Sequence, residues 1–282
     1  MPPKSSTNPF NKILLSLVLL ASSTILAHGG LSLRIQEKTE AISIDPTNST
    51  LYFQRGFLYQ QHLEFNKALS DYLKSEDLGN ADKLLKYRKS EVYIALKDYD
   101  SALASVNQYM DFKDVKAQKL KAQILMKLNR YPEALENYKQ VIKNTLDIRP
   151  EDFVEYSTIF LSMDSTNYTE AIQALDLGLN RLGDHITTLQ LKKIDYLKKS
   201  NQSQKVLDEY NGLISKNTRK EFWYYKKAIY LFELSRLSEA NIALQQTKIS
   251  INQLRPKIKS TPAIKELLVE VHQLEKNIHH EN

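Results

Sequence analysis

A two-residue signature recurs along this chain at an almost constant spacing. It is an alanine followed by a leucine, with a few substitutions. It occurs at Ala68-Leu69, Ala102-Leu103, Ala134-Leu135, Ala171-Ile172, Val206-Leu207 and Ala240-Asn241. The intervals are 34, 32, 37, 35 and 34 residues. A period of this size is typical of stacked helical hairpins, because a single hairpin cannot bury its apolar face without neighbours.

The composition favours an all-α fold. The chain has only 7 Gly and 8 Pro in 282 residues, too few for a sandwich or barrel with many tight turns. Leu, Lys, Ala, Glu and Gln, which are good helix formers, dominate long stretches. The sequence therefore predicts helices throughout the repeating region.

Positions around the signature repeat as well. An aromatic residue or leucine lies three places before it at Phe65, Tyr99, Tyr131, Tyr168 and Leu237. A small residue lies about twelve places before it in four copies, at Gly56, Ser90, Ala122 and Ala228. Small residues here let the two helices of a hairpin approach closely. The fourth and fifth copies have Ile159 and Ile194 instead, and Val206 replaces the packing alanine. We therefore expect the fifth hairpin to be splayed or its boundaries to be displaced.

Two segments carry a family resemblance. Residues 45–72 read DPTNSTLYFQRGFLYQQHLEFNKALSDY, and residues 121–142 read KAQILMKLNRYPEALENYKQVI. Both resemble the tetratricopeptide repeat family, and the resemblance extends over about residues 31 to 250. It implies an α-solenoid of about six helix-turn-helix repeats, each with a helix A and a helix B, and with N- and C-terminal capping helices. It also implies a concave inner surface.

The N-terminus reads as an export signal. Residues 13–27, ILLSLVLLASSTILA, carry no charge and follow a short basic stretch. Fifteen residues suit a signal-peptide core and are short for a spanning helix. We predict a signal peptide at residues 1–27, cleaved after Ala27, and a location in the bacterial periplasm or cell envelope. An uncleaved anchor is the alternative, and only then is contact with a membrane expected.

The remainder divides into three parts. A capping helix is predicted at residues 28–48, the repeat array at 49–255, and a C-terminal capping helix with a tail at 256–282. Thr261-Pro262 is a helix-start signal. The residues after it form an apolar stripe at helical spacing: Ile264, Leu267, Leu268, Val271, Leu274 and Ile278. The stripe predicts a helix that packs on the last hairpin.

The chain shows no catalytic signature. There is no cysteine, which excludes disulfides and thiol nucleophiles. No Gly-rich phosphate loop, Gly-x-Ser-x-Gly elbow or His-Glu-x-x-His motif occurs. The net charge of +6 is mild and spread out, which argues against a nucleic-acid partner. We predict that the protein is not an enzyme and that it has no cofactor.

Histidines give two weak metal candidates. His272, Glu275 and His279 could share one face of the last helix, but a polar face is the preferred interpretation. His28 would be the mature N-terminus after cleavage, and a terminal amine with an imidazole can chelate copper-like ions. We predict no metal site and keep His28 as a side hypothesis.

The resemblance also implies which residues line the inner surface. They come from fixed offsets in helix A: Phe53, Phe57, Tyr87, Glu91, Lys119, Gln123, Tyr156, Phe160, Tyr225 and Phe232. The aromatic members are predicted as hydrophobic anchors, and Glu91, Lys119 and Gln123 as residues that set the partner's orientation. The clamp by which some family members grip a C-terminal carboxylate is absent.

The predicted function is a non-catalytic protein–protein interaction scaffold. It would bind a peptide or a helix of an unidentified protein partner in the concave groove. The alternative is a small-molecule or metal-handling periplasmic binding protein.

Overall fold

The computed structural model describes residues 30–109 and 114–281. The predicted signal peptide at residues 1–27 and the metal candidate His28 lie outside the described residues. Throughout the described part the secondary structure is helical, without strands, so the predicted all-α class is confirmed. The chain forms two compact units, Met1–Leu146 and Asp147–Asn282.

The first unit contains an initial helix and three hairpins. Helix α1 covers residues 30–44. The hairpins are α2 (Ser49–Gln61) with α3 (Phe65–Asp77), α4 (Lys83–Ala95) with α5 (Tyr99–Tyr109), and α6 (Val115–Lys127) with α7 (Tyr131–Asn144). In each pair the first helix is helix A and the second is helix B.

The second unit contains three hairpins and two final helices. The hairpins are α8 (Pro150–Met163) with α9 (Tyr168–Leu182), α10 (Thr187–Lys199) with α11 (Ser203–Lys216), and α12 (Glu221–Glu233) with α13 (Leu237–Asn252). A short α14 (Pro256–Lys259) leads into α15 (Pro262–Glu281).

Asx residues start the A helices of the first unit. The side chains of Asn48, Asp82 and Asp114 each accept a hydrogen bond from a backbone N–H of the following helix. These bonds satisfy N–H groups that lack a partner within the helix. The three caps are spaced at 34 and 32 residues, so helix starts follow the same period as the signature.

The small residues lie where helices A and B cross. A Cβ added to Gly56 would lie 2.8 Å from two carbons of the Tyr72 ring and 3.2 Å from the carbonyl oxygen of Ala68. In the second hairpin the Ser90 hydroxyl donates a hydrogen bond to the carbonyl of Ala102 at 2.9 Å. The backbones therefore approach closely at the predicted residues.

The two isoleucine-bearing hairpins differ from each other. The two helices of the fourth hairpin are about as close as those of the first, second, third and sixth, although Ile159 is buried between them. Helix α9 also carries Gly178, where an added Cβ would lie 2.7 Å from Phe153 and 2.8 Å from Leu189. The fifth hairpin has buried Ile194 and Val206, and its two helices approach each other less closely than the two helices of any other hairpin. The fifth hairpin is thus the splayed one, which agrees with the first of the two alternatives expected from Val206.

The terminal helices pack against the neighbouring hairpin of their own unit. Arg55 on α2 donates a hydrogen bond to the Thr39 hydroxyl on α1 at 3.2 Å. Helix α15 contacts α12 and α13, and five of the six predicted stripe residues are buried there. The exception is Leu268, which is 43% exposed and lies off the packing face. None of the helices in the described ranges is both long and apolar enough to span a bilayer.

Five of the six intrahairpin turns share a backbone feature. The residue that follows the cap of helix A has a positive φ, between 55° and 63°. These residues are Leu63, Lys97, Asn129, Asn201 and Ser235. None is glycine, although the left-handed region is unfavourable for residues with a Cβ. The turn geometry therefore carries local strain.

Candidate partner-binding surface

Phe53 and Phe57 lie one turn apart on α2, and both are partly exposed. The Phe53 ring packs against Tyr72 with ring centroids 5.8 Å apart. The Phe57 ring lies 4.6 Å from the guanidinium carbon of Arg88 on α4, a cation–π distance. Phe53 is thus partly committed to the hairpin interior, whereas Phe57 contacts the next A helix through a charged side chain.

Glu91 on α4 takes part in a polar network between neighbouring A helices. Its carboxylate accepts hydrogen bonds from Arg88 and from Gln60 on α2, each at 2.9 Å. The Gln60 amide oxygen in turn accepts the Tyr72 hydroxyl at 2.7 Å. Arg88 therefore balances the charge of Glu91 before any partner arrives.

The other first-unit candidates lie on α4 and α6. The ring of Tyr87 lies 5.2 Å from that of Tyr109, and burial raises the pKa of Tyr87. Lys119 is partly exposed and Gln123 is exposed on α6. Six candidates thus lie on α2, α4 and α6, and contacts link Phe57 to Glu91 through Arg88.

The second-unit candidates are packed to different extents. Tyr156 is buried at 9% exposure, and its ring makes an edge contact with Phe160 at 5.3 Å. Tyr225 and Phe232 on α12 are partly exposed and pack against the core of this unit. Burial raises the pKa of the Tyr225 phenol. Tyr156 therefore offers little free surface, and the role of all four residues stays a prediction.

The repeats also share a basic residue that was not among the predicted functional residues. A basic residue immediately precedes the crossing position in five copies: Arg55, Lys89, Lys121, Lys193 and Lys227. Arg55 forms a bidentate pair with Asp71 on its own helix B, at 2.7 and 2.8 Å. Lys193 bridges Asp176 on the preceding helix B and Glu209 on its own, at 2.6 and 2.7 Å. The fixed register beside the small residue was the available signal.

The splayed fifth hairpin borders a cavity of about 450 Å³. It is lined by residues of α9, α10 and α11, including Lys193 with its two carboxylate partners. Burial alone would lower the pKa of Lys193, but the hydrogen bonds and charges of Asp176 and Glu209 together outweigh it and raise the pKa. The lining of this cavity has two cations, Lys193 and Lys205, against three carboxylates, and Lys193 is already ion-paired.

The histidine candidates on α15 show no metal geometry. In the part of the chain that the structure describes, no group of three His, Asp or Glu side chains could hold a metal ion. Glu275 instead pairs with Lys248 on α13, and this hydrogen bond lowers the pKa of Glu275. The carboxylate thus serves the packing of α15 on the last hairpin.

Comparison with known proteins supports the fold. No family profile matches the chain. The chain is 26% identical over 174 residues to the STIP1 homolog protein of Dictyostelium discoideum, covering 58% of this chain and 29% of that protein. It therefore spans less than a third of this curated relative's length.

Solved structures are similar over nearly the whole chain. The C-terminal part of a tetratricopeptide repeat-containing protein from Cytophaga hutchinsonii has a TM-score of 0.62 at 12% identity, covering 85% of this chain and 97% of that one. A tetratricopeptide repeat protein from Parabacteroides merdae has a TM-score of 0.53 at 12% identity, covering 91% and 98%. The predicted repeat architecture is thereby confirmed as a fold.

Proposed function

We propose that this chain, which has the fold of the tetratricopeptide repeat proteins, is a non-catalytic scaffold that binds a peptide or helix of a partner protein. The A helices would supply the contact surface, in the groove that the family resemblance implies. The wider class of function, protein interaction, agrees with the fold of its structural neighbours.

One observation carries the proposal. Six of the seven aromatic candidates on the A helices remain partly exposed, Tyr156 being the exception. The repeated tyrosines of the B helices, Tyr72, Tyr138 and Tyr210, are instead buried at 4% exposure or less. Core packing thus accounts for these three B-helix tyrosines but leaves accessible area on the six A-helix aromatics. Such aromatic area suits binding anchors, because it brings large contact at low entropy cost.

The alternative of a small-molecule or metal-handling protein has weaker support. The cavity at the fifth hairpin has a suitable volume for a small ligand. However, Lys193 is already paired with Asp176 and Glu209 there, so a ligand that binds Lys193 would have to displace an existing ion pair.

Site-specific photocrosslinking tests the scaffold proposal. A photoreactive phenylalanine analogue would replace Phe57, Phe160 or Phe232 in the full chain, in cells of the source organism. Matched controls would carry it at Leu73 or Leu177, exposed apolar residues of B helices. We expect one protein to be crosslinked from the A-helix positions and not from the controls. Equal crosslinking from both sets, or none from the A helices, would refute the proposal.

We also propose export to the periplasm or cell envelope, on the basis of the uncharged segment within residues 1–27. Cell fractionation with mass spectrometry of the N-terminus tests this. We expect the purified protein to begin at His28. A cytosolic chain with an intact N-terminus would contradict both export and cleavage.

A further inference from the structure

A second feature of the first unit lies beside Phe57. Helices α1 and α2 border an open surface cavity of about 340 Å³. It is lined by Arg34, Lys38, Gln54, Phe57 and Leu58. Leu58 is buried and forms an apolar base, while Phe57 leaves part of its ring accessible. The cavity thus combines an apolar surface with two cationic side chains.

These two cations differ from the other charged groups nearby. Arg34 and Lys38 lie one turn apart on α1, and within residues 30–109 and 114–281 neither forms an ion pair. Arg55 is paired with Asp71, and Arg88 is paired with Glu91. Internal structure therefore uses the neighbouring cations and leaves Arg34 and Lys38 available to a ligand.

The aromatic ring adds to the positive character of the site. The guanidinium of Arg88 lies 4.6 Å from the centroid of the same Phe57 ring that lines the cavity. An acidic ligand here would meet two unpaired cations directly and a third, paired cation behind the ring. Arginine can bind a carboxylate with two parallel hydrogen bonds, and lysine contributes a point charge.

We propose that this cavity binds a carboxylate side chain from an acidic segment of the partner protein. An apolar residue beside that carboxylate would pack on Phe57. The inference deepens the proposed function and depends on it, since it names the chemistry of the partner at one end of the surface. It also assigns Arg34 and Lys38, which the sequence analysis did not select, to partner binding.

Charge complementarity excludes one occupant and disfavours another. Residues 1–29 precede α1 directly but contain no Asp or Glu, so they cannot provide the carboxylate. An anionic membrane surface usually requires a cluster of four to eight basic residues. Helix α1 carries only two, Arg34 and Lys38, together with the acidic Glu37 and Glu40. An acidic protein segment fits this limited charge better.

Fluorescence anisotropy with two synthetic peptides tests the proposal on the full chain. One peptide alternates Glu and Asp around a single Leu, and the other replaces every acid by Gln or Asn. The test variant is Arg34→Gln/Lys38→Gln. The control variant is Lys139→Gln/Lys143→Gln, which removes two cations at the same spacing from α7.

We expect the acidic peptide to bind the wild type and the control equally, and the amide peptide to bind neither. The test variant should bind the acidic peptide roughly five- to tenfold more weakly. Circular dichroism should show the same helix content in all three proteins. Phe57→Leu, which keeps an apolar contact, should weaken binding less than Phe57→Ala.

Two results would overturn the inference. One is equal loss in the test and control variants, which would indicate a general charge effect. The other is failure to bind the acidic peptide together with binding to vesicles of anionic lipid that requires Arg34 and Lys38. The scaffold proposal is tested separately, because crosslinking from Phe57, Phe160 and Phe232 would persist if only the acidic chemistry were wrong.

Discussion

The first hairpin, α2 with α3, and the fifth, α10 with α11, use the same register and cross at different separations. At the crossing of the first hairpin, Gly56 leaves no room for a Cβ against Tyr72 and Ala68. Ile194 and Val206 take the equivalent positions in the fifth hairpin, and its two helices approach each other less closely. Side-chain volume at two positions therefore sets how closely a hairpin closes.

The ion pairs differ in the same way. In the first hairpin, the planar guanidinium of Arg55 holds Asp71 in a bidentate pair beside the crossing. In the fifth, the flexible ammonium of Lys193 reaches carboxylates on two helices across a cavity. The close first hairpin is thus held by the steric fit at Gly56, whereas in the splayed fifth hairpin an ion-paired lysine occupies part of the wider gap.

The largest expected effect comes from giving the fifth hairpin a small crossing residue. Ile194→Ala should lower the free energy of unfolding by about 3 kcal/mol, because it removes buried methyl groups and leaves a void that Val206 keeps open. Urea denaturation monitored by circular dichroism measures the change. An unchanged or increased stability would mean that the hairpin closes around alanine, as the family pattern would suggest.

The reciprocal change should open the first hairpin. Gly56→Ile should lower the free energy of unfolding by about 2 kcal/mol, since the new side chain overlaps the Tyr72 ring and forces the helices apart. Gly212→Ile on α11 is the matched control, because nothing lies within 4 Å of a Cβ there. The control should gain about 0.5 kcal/mol from helix propensity. A similar loss in both variants would show that β-branching, and not crowding, is responsible.

Replacement of Arg55 or of Lys193 should show that the two ion pairs contribute differently to the free energy of unfolding. Arg55→Gln should cost about 1.5 kcal/mol, because Asp71 is nearly buried and loses its partner. Lys193→Gln should cost about 0.5 kcal/mol, because Asp176 and Glu209 are more exposed to water. Thermal unfolding at low and high salt measures both. Equal costs would contradict the distinction between shape and charge.

Tyr72 and Tyr210 occupy equivalent positions in the first and fifth hairpins, and their hydroxyl groups should contribute differently to the free energy of unfolding. Tyr72→Phe should cost about 1 kcal/mol at neutral pH, because Gln60 loses a hydrogen-bond donor. Tyr210→Phe should be nearly neutral there, since its hydroxyl donates no hydrogen bond among the described residues. Urea denaturation at pH 7 measures both, and equal costs would contradict this difference.

Burial of Tyr210 should also make the free energy of unfolding depend on pH in the alkaline range. Burial raises the pKa of its phenol to about 12, from an ordinary value of 10.0. The neutral phenol thus stabilises the folded state fully below pH 10, and this stability is lost between pH 10 and 12. At pH 11, Tyr210→Phe should therefore be about 1 kcal/mol more stable relative to wild type than at pH 7. Parallel pH profiles of the two proteins would contradict the assignment.

The repeat, the helix starts and the close crossings were predictable, because each depends on residues at a fixed register. The splaying of the fifth hairpin was predictable as well, since Val206 replaces the packing alanine that the fourth hairpin keeps at Ala171. Two details were not. The close approach of Gly178 on α9 to Phe153 and Leu189 lies outside the repeated signature. Leu268 fits the apolar stripe of α15 but is exposed, since helical spacing alone does not fix the width of a packing face.

The candidate surface was predictable in part. Fixed offsets selected Phe57 and Glu91, which lie in one network through Arg88. The same offsets selected Tyr156, which is buried. They could not select Arg34 and Lys38, because these residues belong to α1, outside the repeated register. Offsets give a position within a repeat, whereas exposure depends on what the neighbouring elements cover.

The left-handed turn residues affect the stability of a hairpin without contributing to its helix surfaces, so stability and binding specificity can change separately. A residue with a Cβ at positive φ costs about 1 kcal/mol relative to glycine. Replacement of Leu63 or Lys97 by glycine would relieve that strain without altering any helix surface. Five of the six hairpins therefore carry a reserve of stability at a turn residue that is not among the candidate partner-binding residues. Variation at the turns can compensate for destabilising changes on the A helices, so new binding specificities can arise in one repeat without loss of the fold.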